Sequence, residues 1–287
     1  MVVKRKVKIE EKFSLTENSV EKNALLAKAD FLKKYKISSK QFLSTKIKWS
    51  ELVKIHRNYI NKQELLERIA TGIISKFLTS DAKESGVHSV RFRLKKPESL
   101  IEKIIRKTID NKRRKIVKTI TVKNYSKEVT DLIGIRILHV FKDDWFAIHN
   151  YILGQCKYQT KETPKVYYRK GDEKHFIGEC NKNGCITAVH PKGYRSIHYI
   201  INPHPDDKIC FAEIQVRTVF EDGWSEIDHK LSYGIKKGKK HKLDRYLLAL
   251  NRIAGSADEI GSIIKSRQVE LRQEESEREI IKKKIKR

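Results

Sequence analysis

The chain has 287 residues, with 63 Lys and Arg against 36 Asp and Glu and a formal net charge of +27. Hydrophobic content of 39% beside 34% charged residues supports a compact core with long solvated helices and excludes a disordered chain. No apolar run approaches the roughly 20 residues of a membrane span. The basic start, MVVKRKVKIEEKF, has no apolar signal core, so a cytosolic protein without a membrane partner is expected.

Taken in chain order, residues 17–36 place Val20, Leu25, Leu26, Ala29 and Leu32 at helical spacing behind a capping Thr16 or Ser19. Residues 48–80 continue with Leu52, Ile55, Tyr59, Leu65, Leu66, Ile69, Ile73 and Phe77. The first eighty residues therefore read as two helices packed on the core formed by the rest of the chain. His88 to Arg93 alternates as a strand, and a helix is expected from Glu98 to about Thr108. A very basic connector, KRRKIVKTITVK, fills 112–123. Leu132 to Val140 reads as a central strand and Trp145 to Gln155 as a helix. Residues 164–189 read as a hairpin turning near Asn181-Lys-Asn-Gly184. Ser196–Asn202 and Lys208–Arg217 alternate as strands. Asp222–Tyr233 reads as a helix, and 244–287 as one long helix, increasingly charged after 265. The pattern predicts an α/β mixed sheet of about five strands. The expected division is 1–84 as N-terminal helices, 85–235 as the core and 236–287 as a basic helical extension.

Of the four cysteines, Cys156, Cys180, Cys185 and Cys210, the middle two could form half of a zinc site with His175 and His190. No second close pair completes it, so free thiols are the expectation. The net charge suits a polyanion, a nucleotide or RNA, although a lysine-rich proteome gives the same bias.

Four strings carry chemistry. Arg93-x-Lys95-x3-Ser99-x3-Lys103 runs into a helix and presents groups suited to phosphate oxygens. A solvated helix face would give the same spacing in so basic a chain. Asp131-Leu-Ile-Gly134-Ile-Arg136 comes second, then Gly193-Tyr194-Arg195-Ser196-Ile197-His198. The last is Glu213-Ile-Gln215-Val-Arg217-Thr218, trailed by Trp224, Glu226, Asp228, His229 and Tyr233. Asp131 and Glu213, on two strands, could hold Mg2+ against a nucleotide's phosphates, or could be ordinary strand-end acids. Glu213, Gln215 and Arg217 face one side of their strand. Glu226 and His229 share a helix face.

The four strings in this order, over residues 85–235, resemble the synthetase domain of the RelA/SpoT family, the pyrophosphotransferases that make ppGpp and pppGpp. The resemblance implies a nucleotidyltransferase-like fold. It also implies transfer of the β,γ-pyrophosphoryl unit of ATP to a nucleotide 3′-hydroxyl, with release of AMP and with Mg2+ as cofactor. By it, Asp131 binds Mg2+, and Glu213 sits near the metal and the attacking hydroxyl as candidate base. Arg93 and Arg136 sandwich the adenine, and Lys95, Ser99 and Lys103 face the donor phosphates. Tyr194 stacks on the acceptor guanine, His198 faces acceptor phosphates, and Lys192, Gln215 and Arg217 complete the acceptor side, with Glu226 and His229 in support.

Two departures touch the acceptor side. Asn183-Gly184 stands where the family often has Lys-Asp, and His190 where a Lys is usual. None of the ten histidines is followed by Asp, the metal pair of the family's hydrolases, so a single-domain, synthetase-only chain is expected. The leading reading is a GTP diphosphokinase acting on GDP or GTP. The alternatives are a toxin-like enzyme that pyrophosphorylates the 3′ end of tRNA, favoured by the basic 112–123 stretch, and a non-enzymatic RNA-binding module. A homo-oligomer is compatible with each.

Overall fold

The computed structural model describes residues 25–285 apart from 117, 156–158, 204–209 and 233–240. Its N-terminal layer is more broken than the two expected helices. It holds α1 (Lys28–Lys34), α2 (Ser39–Ser44), α3 (Trp49–Asn61), α4 (Gln63–Ser75) and α5 (Ser80–Glu84). The expected caps at Thr16 and Ser19 lie outside the described residues. The breaks have local causes. Lys36 and Lys46 sit at φ +52° and +59°, in the left-handed region. Ser38 and Gln41 form a reciprocal capping box that restarts the chain as α2.

Strand β1 (Ser89–Leu94) leads into α6 (Pro97–Arg113), with Pro97 in the first turn. Leu100, Ile101, Ile104 and Ile105 of α6 are fully buried, each stabilising the fold by about 1.5–3 kcal/mol. They join Phe31, Leu52, Ile55, Tyr59 and Ile73 in one core that continues beneath the sheet. The helix runs past Thr108 and takes up Lys112 and Arg113, so the basic stretch begins as a helix C-terminus. A short turn, α7 (Tyr125–Glu128), precedes β2 (Ile133–His139). The expected helix after β2 is split into α8 (Trp145–Asn150) and a wider π-type turn at Tyr151–Gln155.

The expected hairpin at 164–189 is corrected. Strands β4 (Lys165–Tyr168) and β5 (Ile186–Val189) pair in parallel, with α9 (Lys174–Lys182) crossing between them. Gly184, at φ +75°, ends α9, with the Cys185 N–H donating to the Cys180 carbonyl. The α9 segment buries only Cys180, so its helical stripe is too thin to read from sequence. The sheet is completed by the two-residue β3 (Gln159–Thr160), β6 (Ser196–Asn202) and β7 (Ala212–Thr218). Among the described residues it has seven strands, where about five were expected, in the order β1-β2-β7-β6-β4-β5, with β3 on β6.

Helix α10 (Val219–Ser232) leaves β7 directly, and α11 (His241–Ile285) packs its first half on α10. Trp224 Nε1 donates to the Leu247 carbonyl at 2.7 Å, and Thr218 Oγ1 to Asp258 at 2.9 Å. Gly255 lets α11 approach Arg195: a Cβ there would lie 2.6 Å from the guanidinium. Among the described residues no helix is long and apolar enough to cross a membrane.

Candidate active site

Alternation in β1, β2, β7 and β6 sends every second side chain to the face away from the core. Strand register then aligns them. Arg93 lies beside Gly134, Gly134 beside Glu213, and Arg91, Arg136, Gln215 and His198 form the adjoining row. Four strands spaced about 4.8 Å apart put about 14 Å between the first and last members of that row.

At one end, Arg91, Arg93, Gly134, Arg136, Gln215 and Glu226 line a slot of about 120 Å³. The Arg136 Nη1 is held at its edge by Asp222 Oδ1 (2.8 Å) and Glu226 Oε1 (2.5 Å). A guanidinium anchored by its edge keeps its flat face for stacking.

Below the slot, Lys95, Ser99, Lys103, Arg106, Lys107, Arg114 and Asp131 line an open groove of about 490 Å³. Asp131 lies in the turn before β2, where the Lys95 N–H donates to the Leu132 carbonyl. Its Oδ2 takes both the Lys95 and Lys103 ammonium groups at 2.8 Å. Burial pushes the Asp131 carboxyl up, but Lys103 and Lys95 together more than offset it and hold it low. The other oxygen, Oδ1, is buried without a hydrogen-bond partner.

Glu213 is 13% exposed and accepts from His198 Nδ1 at 2.9 Å and Gln215 Nε2 at 2.7 Å. Burial opposes its ionisation. The His198 and Gln215 donors and the nearby Lys103 outweigh burial and bring it down to about 2. The two carboxylates share the influence of Lys103. Among the described residues no group of three or more His, Cys, Asp or Glu is placed to hold a metal. Two carboxylates, one with a buried free oxygen, still fit a Mg2+ that takes its remaining ligands from phosphates and water.

At the far end, Tyr194, His198, His190, Lys192, Trp224, Asp228 and His229 border a cleft of about 510 Å³. The Arg217 guanidinium carbon lies 4.6 Å from the Tyr194 ring centre and its Nη2 donates to the Tyr194 hydroxyl. Tyr194 is flanked by the His190 ring at 5.2 Å and the His198 ring at 5.9 Å. Burial raises its phenol, with Arg217 opposing. His190 borders the cleft beside Tyr194, whereas Asn183-Gly184 sits at the end of α9 and does not border it. Cys180 and Cys185 are buried thiols raised by burial to about 12 and about 11. Cys185 Sγ lies 3.8 Å from His149 Nδ1.

Residues 92–239, just over half of the chain, match the family described as "Region found in RelA / SpoT proteins". The chain belongs to the RelA/SpoT family. The GTP pyrophosphokinase YwaC of Bacillus subtilis is 27% identical over 177 residues, which cover 60% of this chain and 71% of that protein. A solved GTP pyrophosphokinase family protein from Streptococcus pneumoniae superposes with a TM-score of 0.50 at 20% identity, covering 75% of this chain and 93% of its own. That likeness shows the shared fold.

Within this RelA/SpoT core Arg93, Arg136, Gln215 and Glu226 line the slot, Lys95, Ser99, Lys103 and Asp131 the groove, and Lys192, Tyr194, His198 and His229 the cleft, while Glu213 and Arg217 are both hydrogen-bonded to Gln215. Sequence reasoning missed Arg91, Asp222 and Ser225. Arg91 is two residues before Arg93 on the same strand face. Asp222 and Glu226 are four apart on α10, the spacing of one helix face.

Proposed function

We propose that this chain is a (p)ppGpp synthetase of the GTP diphosphokinase type. It moves the β,γ-pyrophosphoryl unit of ATP to the 3′-hydroxyl of GDP or GTP and releases AMP. The observation that carries the reading is the combination of a guanidinium slot on the sheet face, a lysine groove along α6 that includes Asp131, the ionised Glu213 on β7 and the Tyr194 cleft. Family membership and a curated relative named as a GTP pyrophosphokinase support it.

In this reading Arg93 and Arg136 hold the adenine by its faces. Lys95, Ser99 and Lys103 take the donor phosphates, the two lysines exchanging the Asp131 carboxylate for phosphate oxygens. Tyr194 stacks on the acceptor base, with His198, Lys192, Gln215 and Arg217 around its sugar and phosphates. Asp131 and Glu213 would hold Mg2+, which would supply charge neutralisation on the pyrophosphoryl oxygens. The acceptor 3′-oxygen forms its bond to Pβ as the bond from Pβ to the α,β-bridging oxygen breaks, and AMP carries that oxygen away. Glu213, at about 2 in the free protein, is a weak base. It accepts a hydrogen bond from the 3′-hydroxyl and takes the proton late, once the new O–P bond has made that proton acidic.

A tRNA acceptor is the second reading, because the groove continues past Lys103 to Arg106, Lys107 and Arg114 along α6, beyond the reach of one triphosphate. The chain incubated with γ-labelled ATP and, in parallel, GDP, GTP and deacylated tRNA decides between them. Label on the free nucleotide with AMP as co-product is expected. Label only on tRNA selects the second reading, and ADP as the sole adenine product removes both.

A further inference from the structure

Three arginines converge on one buried carboxylate. Asp222, in the first turn of α10 and 8% exposed, faces Arg91 Nη2 with Oδ2 at 2.5 Å. Its Oδ1 faces Arg136 Nη1 at 2.8 Å and Arg217 Nη1 at 3.5 Å. Arg217 is itself 4% exposed and leans on the Ser225 hydroxyl at 3.0 Å. Like charges this close repel, and Arg136 is among the groups that make Arg217 harder to protonate. Glu226 is the other acid at Arg136 and Arg91, but it is 41% exposed. Asp222 is therefore the acid that reaches both sides of the sheet face.

The chain of contacts is continuous. From the slot it runs Arg136 to Asp222 to Arg217, then branches to the Tyr194 hydroxyl and to Gln215 Oε1. Gln215 donates in turn to Glu213. We propose that Asp222 is a positioning residue that couples the donor slot to the acceptor cleft, so that filling either one sets the guanidinium the other needs. The inference rests on the reading of the slot as the ATP site and the cleft as the guanine nucleotide site. One carboxylate oxygen shared by two guanidiniums cannot satisfy each independently. A base stacked on Arg136 fixes where Oδ1 sits, which fixes Arg217 and the Tyr194 ring beneath it.

The test is calorimetric titration of the full chain with α,β-methylene-ATP, alone and with saturating GDP, and the reverse. In the wild type each ligand should raise the other's affinity at least about fivefold, and equally by linkage. Asp222→Asn should bring that ratio to about one while each nucleotide still binds alone. Glu226→Gln should weaken the ATP analogue and leave the ratio intact. No enhancement in the wild type, an enhancement that survives Asp222→Asn, or its loss in Glu226→Gln would each overturn the coupling role. Should Asp222→Asn not fold, Arg136→Lys and Arg217→Lys singly and together give the same answer: non-additive losses support the shared carboxylate, additive ones refute it. Absence of any binding by either nucleotide to the wild type would instead overturn the functional reading beneath it.

Discussion

Replacing Glu221 by Gln tests the electrostatics behind the acceptor loop. Glu221 is 1% exposed, accepts from the Arg195 N–H at 3.1 Å and faces its Nη1 at 3.3 Å. Arg195 gives its better bonds to Asp172, two at 2.8 Å. Burial therefore dominates Glu221 and pushes it up from 4.5 to about 7, with Arg195 opposing. At 1.36 kcal/mol per pH unit this amounts to about 3 kcal/mol. The sign is set by the raised value. The contribution is fully present below about pH 4.5, where both states hold the proton. It is lost as pH rises to 7, because the unfolded chain releases that proton first. Urea unfolding of wild type and Glu221→Gln, followed by tryptophan fluorescence at several pH values from 4.5 to 8, isolates the effect. Any constant offset from the amide drops out of the change with pH in the difference between the two proteins. That difference should move by about 3 kcal/mol in favour of Glu221→Gln across the range. A difference independent of pH would refute the assignment and mean that the Arg195 contacts keep Glu221 ionised. Asp258, raised by burial to about 6, slopes the same way in both proteins and leaves the comparison intact.

Glu213→Gln and Asp131→Asn should each lower AMP formation by about 10²–10³-fold or more with the fold retained, as loss of a preorganised charged group does; near-normal turnover in either would show the carboxylates misassigned. Tyr194→Ala should raise the acceptor KM about 10- to 100-fold, the equivalent of about 1–3 kcal/mol of base stacking, and leave the ATP KM less affected; an unchanged acceptor KM would place the base elsewhere. Replacing Lys112, Arg113, Arg114 and Lys115 by Ala should change activity on GDP little, since a free nucleotide offers few phosphates. A strong loss confined to tRNA, with a flatter salt slope, would move the acceptor to tRNA.

The face of the sheet was legible because β2 alternates cleanly and the motif residues of β1, β2 and β7 sit at even spacing. Asp131, Glu213 and Tyr194 were named instead from the resemblance that the four ordered strings carry, which needs no knowledge of which strand neighbours which. The parallel β4–β5 pair was not legible. Its signal was two short apolar runs and an Asn-Gly, which suits a hairpin turn as well as a helix end, and α9 buries too little to tip the choice. Nor could the breaks in the N-terminal layer be read, since lysines at φ +52° and +59° carry no local mark. Asp222 escaped for a different reason. Its importance lies in meeting Arg91, Arg136 and Arg217 across two strands and a helix, a convergence that only the register creates.

The two site carboxylates are ionised by different means, and that difference bears on what each can do. Asp131 is held by two lysine ammonium groups on a single oxygen, partners that a triphosphate would also attract. In the proposed reaction donor phosphates would compete for those lysines, which would free Asp131 Oδ2 for another partner. Glu213 is held instead by the His198 imidazole and the Gln215 amide, which the proposed function sets on the acceptor side. In that reading neither takes a donor phosphate, so Glu213 would keep these hydrogen bonds whether or not the donor is bound. In the proposed reaction one carboxylate would thus respond to the donor and the other be preorganised for the acceptor hydroxyl, a division set by their neighbours rather than by their own chemistry. Lys103 lowers both, so in the proposed reaction one cation would serve both carboxylates during the transfer.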